Sequence, residues 1–228
     1  MADEGGAVLK PLRQFGQGQA NRMARWQDRV RVSNSADRNL SHALNVMMKV
    51  GNALNLPRTI LESASLTYRK ALRNKLVKGR SINGVVAASV YISCKQFGMA
   101  RTLEEIAGAC AMAKKEAGRS YRYITWELSV LPPLIPPEYY VARFSEQLEL
   151  PRSVEILALR LLKVAMDLRL TSGRGPTGLA AAVTYVASLL AGEHRTQREI
   201  AEVAKVTEVT IRNRYKELLE KVDITTTI

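Results

Sequence analysis

Four side chains near the C-terminus, Val209, Arg212, Asn213 and Lys216, recur at i, i+3, i+4 and i+7, which is the spacing of one helical face. An arginine can pair with the major-groove edge of guanine, and a valine can contact a thymine methyl group. The alternative is an ordinary amphipathic helix with a solvated charged face. We favour base reading, because an exposed valine beside an arginine suits a DNA groove better than water.

The element that must position these side chains is a helix-turn-helix. Ile211, Tyr215, Leu218 and Val222 form a second stripe on the same helix, and the first face points roughly 130° away from it. A preceding helix, opened by a Thr-x-x-Glu capping box, leads through a turn around 205–207 into the candidate reading helix. We therefore predict DNA contacts at Val209, Arg212, Asn213 and Lys216, and also at Thr210 and Arg198.

The chain contains an internal duplication. The run Leu54–Arg58 reappears as Leu148–Arg152, an offset of 148 − 54 = 94 residues. The same ungapped offset places Gly79 on Gly173 and Tyr91 on Tyr185. Chance does not keep register over that length, so the sequence predicts two tandem copies of one domain.

Each copy has the pattern of five helices, with a nearly all-apolar central helix that begins at Ile82 in the first copy. We predict an all-α fold of two tandem five-helix domains, each ending in a helix-turn-helix-like element. The predicted boundaries are a disordered tail and linker at 1–36, a first repeat at 37–131, a proline-rich connector at 132–138 and a second repeat at 139–228.

The first repeat lacks the candidate base-reading side chains. Subtracting 94 from the reading positions gives Lys115, Gly118, Arg119 and Arg122, which leaves positive charge alone. Lys114 and Lys115 also crowd a predicted helix N-terminus, where the helix dipole disfavours cations. Such a placement suggests phosphates or an acidic protein surface as the partner. We therefore predict that the second repeat reads sequence and the first makes charge contacts.

Two loops place an arginine directly after a glycine, at Gly79-Arg80 and at Gly173-Arg174. Arg80 and Arg174 could enter a minor groove or contact a phosphate. Alternatively, each glycine ends the preceding helix and the arginine stabilises that helix end. The two interpretations are compatible.

Composition points to a polyanionic partner. The 34 Lys+Arg residues exceed the 21 Asp+Glu residues by 13, and the cations recur beside the helix-turn-helix patterns. We expect Cys94 and Cys110 to be buried thiols in a reducing compartment, and neither forms a metal-binding motif. The sequence has no catalytic constellation, signal peptide or membrane span, so we expect a non-enzymatic protein inside the cell.

Several motifs resemble the archaeal members of the TFIIB family, transcription initiation factors with two cyclin-like repeats. The resemblance runs from about Arg25 to the C-terminus. It rests on the motifs at Lys78–Ser81, Arg101–Ala107 (RTLEEIA), Lys114–Glu116, Arg195–Ala201 (RTQREIA) and Thr207–Tyr215 (TEVTIRNRY).

The resemblance implies a general initiation factor that binds TATA-binding protein on promoter DNA and orients RNA polymerase. It implies that Val209 and Arg212 contact the B-recognition element upstream of TATA. By the same resemblance, Lys95 and Lys115 meet TATA-binding protein. Gly79 and Arg80 would then face the minor groove downstream of TATA and Lys114 would contact DNA, while 25–29 matches a linker near the melting DNA.

Family members usually begin with a zinc ribbon, but no cysteine precedes Cys94 in this sequence. We therefore expect no zinc or other cofactor in this chain. We also expect a monomer in the archaeal cytoplasm, bound to chromosomal DNA and without a membrane partner. Three alternatives remain open. One is a ribbon-less paralogue acting as a regulator, another is a free-standing sequence-specific regulator, and the third is a cyclin-like protein-binding module.

Overall fold

The computed structural model describes residues 37–170 and 175–221, and every regular element in those ranges is an α-helix. The first helix, α1, occupies 37–53. The helices that follow are α2 (Arg58–Arg73), α3 (Ile82–Gln96), α4 (Leu103–Ala109), α5 (Lys114–Glu127), α6 (Pro137–Gln147), α7 (Arg152–Asp167), α8 (Pro176–Leu190), α9 (Gln197–Ala204) and α10 (Glu208–Lys221). The predicted all-α architecture of two five-helix sets is confirmed.

One buried helix organises each set. From Gly84 to Cys94 of α3 every residue except Tyr91 is buried, and from Gly178 to Ser188 of α8 every residue except Tyr185 is buried. The two exceptions are themselves related by the offset of 94. Helices α2 and α5 pack against α3, while α6, α7 and α10 pack against α8. Small side chains such as Ala87 and Ala181 allow this close approach.

The backbone repeats as well as the sequence. Left-handed turn residues recur at the offset of 94 in four pairs: Asn55 and Glu149, Lys75 and Arg169, Gly98 and Gly192, Ala111 and Lys205. Six of these eight residues are not glycine, although a positive φ carries a steric cost for any side chain. The shared conformation shows that the two copies turn their chains in the same places.

The capping box predicted before the reading helix is present, and the first repeat has the same box. The hydroxyl of Thr102 accepts from the backbone N–H of Glu105, whose carboxylate accepts from the Thr102 N–H, and α4 starts there. Thr196 and Glu199 do the same for α9. Each pair satisfies two backbone donors that a helix start would otherwise leave open.

Both cysteines are buried, as the sequence predicted. Cys94 lies within α3, and Cys110 is the residue at which α4 ends. Burial raises the pKa of the Cys94 thiol to about 12 and that of Cys110 to about 11. Burial therefore disfavours the reactive thiolate form of both side chains and shields both from thiol reagents.

The predicted boundaries meet the structure unevenly. The described residues from Ala43 onward form one compact unit. Residues 1–36, 171–174 and 222–228 lie outside the described residues, and so do the predicted tail and linker and Arg174. Helix α6 begins at Pro137, inside the segment 132–138 that we predicted as a connector. Within the described ranges, no helix has the length and apolar character needed to cross a bilayer.

Candidate nucleic-acid interface

The predicted reading helix exists and presents the predicted face. In α10, Ile211 and Leu218 are buried, while Arg212, Asn213 and Lys216 are exposed. Val209 is 59% exposed, a large fraction for a β-branched apolar side chain in the first turn of a helix. The polar face is therefore accessible to a groove. It also exposes the apolar Val209 side chain, whose contact with water is unfavourable.

A left-handed turn sets the angle at which α10 leaves α9. Lys205 ends α9 with a φ of 53°, and the Thr207 hydroxyl accepts from the backbone N–H of Thr210 at 3.2 Å to start α10. Tyr215 of α10 packs against Tyr185 of α8, with ring centroids 5.3 Å apart. These contacts hold α10 against α9 and α8 with its reading face outward.

Thr210 differs from the other predicted contacts on α10. It is half-buried, and a Cβ added at Gly178 of α8 would lie 3.2 Å from its methyl carbon. Its hydroxyl also lies 2.8 Å from that of Thr207. The side chain therefore supports the start of the reading helix and its packing on α8.

An open groove of about 550 Å³ brings together three of the predicted DNA contacts, Lys114, Arg198 and Thr210. Arg198 is exposed and pairs with Glu202, and Lys114 pairs with Glu104 at 2.6 Å. The offset of 94 places Arg198 on Glu104 and Glu208 on Lys114, so the two repeats carry opposite charges at these positions. Helical i, i+4 spacing predicts the pairing of Arg198 with Glu202, but no spacing rule predicts that of Lys114 with Glu104, because the two residues lie on different helices.

The loop between α2 and α3 holds Arg80 in a defined place. Helix α2 ends at Arg73 and the chain turns at Lys75, so Gly79 does not cap that helix, and the C-cap alternative is wrong for this loop. Gly79 has a φ of 78°, and the Arg80 guanidinium lies 3.5 Å from the centre of the Tyr123 ring. Stacking orients the guanidinium plane and leaves its edges free to donate.

Ser81 joins the same loop to two helices. Its hydroxyl accepts from the backbone N–H of Gly84 at the start of α3, and it donates to the Glu116 carboxylate of α5 at 2.9 Å. The loop is therefore tied to the helix whose first turn carries Lys114 and Lys115.

The two cations that the resemblance assigns to TATA-binding protein have different surroundings. Lys115 is exposed in the first turn of α5, where no side chain caps the helix. Lys95 is half-buried, with its ammonium 3.4 Å from the Tyr121 hydroxyl and 5.7 Å from the ring centres of both Tyr91 and Tyr121. Its counterpart in the second repeat is Leu189, so the cation belongs to the first repeat alone.

A buried polar cluster was not predicted from the sequence. The Glu105 carboxylate meets Arg101 of its own repeat at 3.8 Å and accepts a hydrogen bond from Arg143 of α6. Burial, and next the neighbouring Arg143 cation, lower the pKa of Arg101. No spacing signal could have found this cluster, because Glu105 and Arg143 are far apart in sequence. Among the described residues no acidic, histidine or cysteine cluster could hold a metal ion.

The fold and this surface define a class of protein, a tandem pair of five-helix domains whose second copy presents an exposed helix-turn-helix face. Residues 36–126 and 132–221 each match the family described as the transcription factor TFIIB repeat. The chain belongs to that family. It is a family of transcription factors, not of enzymes, which agrees with the non-enzymatic expectation.

Curated relatives agree with this assignment. The chain is 52% identical over 203 residues to a transcription initiation factor IIB of Archaeoglobus fulgidus, covering 89% of this chain and 62% of the relative. It is 49% identical over 215 residues to that of Methanosarcina mazei, covering 94% and 64%. For Methanocaldococcus jannaschii the figures are 50% over 210 residues, covering 92% and 31%. The chain thus spans less than two thirds of these relatives' lengths.

Proposed function

We propose that this chain acts in transcription initiation by binding promoter DNA together with TATA-binding protein. The observation that carries the proposal is the exposed face of α10, where Val209 and Arg212 stand on the second helix of a helix-turn-helix. Relatives named transcription initiation factor IIB support the same role. On this proposal the protein works as a monomer on chromosomal DNA inside an archaeal cell.

The contacts divide between the repeats. In the second repeat, Arg212 and Val209 read bases of the B-recognition element upstream of TATA, and Asn213 and Lys216 extend that face. In the first repeat, Arg80 and Lys114 contact DNA, and Lys95 and Lys115 meet an acidic surface of TATA-binding protein. Because the two sets differ, the bound protein has a direction, and that direction orients RNA polymerase recruitment.

A mobility-shift assay tests the proposal. Purified protein is added to labelled promoter DNA with and without TATA-binding protein, at low salt. We expect a ternary complex whose stability depends on the sequence upstream of TATA, and weak binding to DNA alone. If no ternary complex forms at low salt, the proposal fails and a cyclin-like protein-binding module is favoured. Equally tight binding without TATA-binding protein would instead identify a free-standing regulator.

A further inference from the structure

Arginines from both repeats meet at the carboxylate of Glu105. One oxygen, Oε2, accepts from the backbone N–H and the hydroxyl of Thr102 at 2.7 and 2.9 Å, which is the capping box of α4. The other, Oε1, lies 3.8 Å from Nη1 of Arg101 and accepts a hydrogen bond from Arg143. The carboxylate therefore joins a helix start in the first repeat to a side chain from the second.

Arg143 reaches from α6 to two acceptors of the first repeat. Its Nη1 donates to the backbone carbonyl of Ala100 and its Nη2 donates to Glu105. The two paired side chains are only 12% and 9% exposed. Water screens such a pair weakly, and removing one partner leaves a buried charge and a carbonyl without a donor.

Comparison of the repeats singles out Arg143. In the second repeat Arg195 donates to the Leu148 carbonyl, just as Arg101 donates to the Leu54 carbonyl in the first. Glu199 forms the same capping box as Glu105, but it is exposed. The counterpart of Arg143 at the offset of 94 is Lys49, which is exposed on α1. Duplication accounts for the arginine and the carboxylate within each repeat, whereas the arginine that crosses between repeats is an addition.

We propose that Arg143 is a positioning residue that locks the two repeats to each other and so fixes the place of the reading helix relative to the first-repeat contacts. Helix α6 packs on α8, and α8 packs on α10, so anchoring α6 on the first repeat also anchors α10. If the reading helix and the first-repeat contacts are held at one separation, both can engage a single DNA site, and the two repeats lose no freedom of relative orientation on binding.

The distance between the repeats tests the lock without DNA. Spin labels are placed on Arg69→Cys in α2 and Lys163→Cys in α7, which are exposed positions related by the offset of 94. Cys94 and Cys110 are buried and stay unlabelled. We expect Arg143→Met to broaden the distance distribution at least about twofold, because the methionine keeps the stem but not the donors. Lys49→Met, the matched position, should leave it unchanged. An unchanged width in Arg143→Met would overturn the proposal.

A second pair of variants leaves Arg143 in place and changes the carboxylate that it meets. Glu105→Gln and Glu199→Gln both keep the side-chain length that a capping box accepts, but only Glu105 receives an arginine from the other repeat. We expect Glu105→Gln to broaden the distribution and Glu199→Gln to leave it narrow. Arg143→Lys should give a distance distribution narrower than that of Arg143→Met. Equal widths in the two glutamine variants would contradict the lock.

Binding supplies a further readout, and this arm alone rests on the proposed function. We expect Arg143→Met to weaken the complex with TATA-binding protein and promoter DNA about tenfold, with the salt dependence and the sequence preference retained. Broadened distances with unchanged affinity would show that Arg143 does not position the contacts. If the unsubstituted protein forms no complex, the proposed function fails, and the distance measurement still decides the lock.

Discussion

Arginine has three different roles in this chain, and its surroundings decide between them. Arg212 is exposed on the outer face of α10 and is available to a base edge. Arg80 lies over the Tyr123 ring, which holds its guanidinium group in place. Arg143 is buried against Glu105 and a carbonyl, so it supports structure. Because all three side chains carry the same guanidinium group, burial and stacking partners are what separate contact from support.

Replacing Arg212 with alanine should cost about 1–3 kcal/mol of binding free energy and relax the preference for sequence upstream of TATA, because one base contact is lost. Binding to a panel of upstream sequences measures both effects. Arg160→Ala, which removes an exposed arginine from α7, is the control for lost charge. Retention of full sequence preference by Arg212→Ala would exclude a base-reading role for this side chain.

Replacing Lys114 with alanine should weaken binding to all sequences alike. If the ammonium meets a phosphate, the slope of log K against log salt should fall by about 0.9. Its loss also leaves Glu104 without the cation that neutralises it, which adds to the effect. Titrations at several salt concentrations, with Lys163→Ala as a control on α7, measure the slope. A selective loss of upstream preference in Lys114→Ala would show that the division between the repeats is wrong.

The exposed reading face could be predicted because helical periodicity alone decides which way Arg212 and Ile211 point. The stacking of Arg80 on Tyr123 and the pairing of Lys114 with Glu104 could not, because their partners come from other helices. Spacing gives the face of a helix, and neighbouring elements determine how much of that face is covered.

Among the secondary-structure elements, the residues at the helix ends determine much of where each helix starts and how the chain turns after it. The same Thr-x-x-Glu box starts α4 and α9. A residue with a left-handed backbone conformation follows each helix at the corresponding position, Ala111 after α4 and Lys205 after α9. The capping boxes were predictable, since they depend on residues three positions apart. The left-handed turns were not, because alanine and lysine carry no sequence signal for a positive φ.

The cap of α9 should make stability depend on pH. Hydrogen bonds from the backbone and the side chain of Thr196 lower the pKa of Glu199 below its ordinary value of 4.5. A lowered pKa in the folded state stabilises the protein above that value, and the contribution is lost as the pH falls through the folded pKa. The unfolding midpoint in urea of Glu199→Gln should therefore lie below that of the unsubstituted protein at neutral pH and approach it below about pH 4.5.

The matched control is Glu220→Gln, which neutralises an exposed carboxylate near the other end of the second helix-turn-helix. Its difference from the unsubstituted protein should change less across the same pH range. A constant difference for Glu199→Gln from neutral to acidic pH would show that the charge of the carboxylate does not contribute to the cap.

Two turn substitutions should have opposite signs. Ala111 has a φ of 52°, so Ala111→Gly should raise the free energy of unfolding by up to about 1 kcal/mol through relief of steric strain. Gly98 has a φ of 67° with nothing within 4 Å of an added Cβ, so Gly98→Ala should lower it by about 1 kcal/mol through backbone strain alone. Urea unfolding measures both. A shift of the same sign in both variants would contradict the strain argument.

In the molecule as a whole, duplication produced two repeats with the same backbone turns, and later substitutions made their side chains differ. The offset of 94 revealed the two repeats, the correspondence of Tyr91 to Tyr185, and the presence of Lys115 and Gly118 where the second repeat has Val209 and Arg212. It could not reveal the contact of Arg143 with Glu105, because an arginine on a helix reads as a solvated charge. That contact depends on how one repeat packs on the other, which no pattern within a single repeat specifies.

We expect the unlike repeats to give the protein a direction on promoter DNA, and tethered cleavage can measure that direction. An iron chelate is attached to Glu220→Cys on α10 or to Arg73→Cys beside the Arg80 loop, while the buried Cys94 and Cys110 stay unmodified. In the complex with TATA-binding protein, cleavage from α10 should fall upstream of TATA and cleavage from the first repeat downstream. Overlapping cleavage from both sites, or cleavage on the reversed sides, would contradict the account.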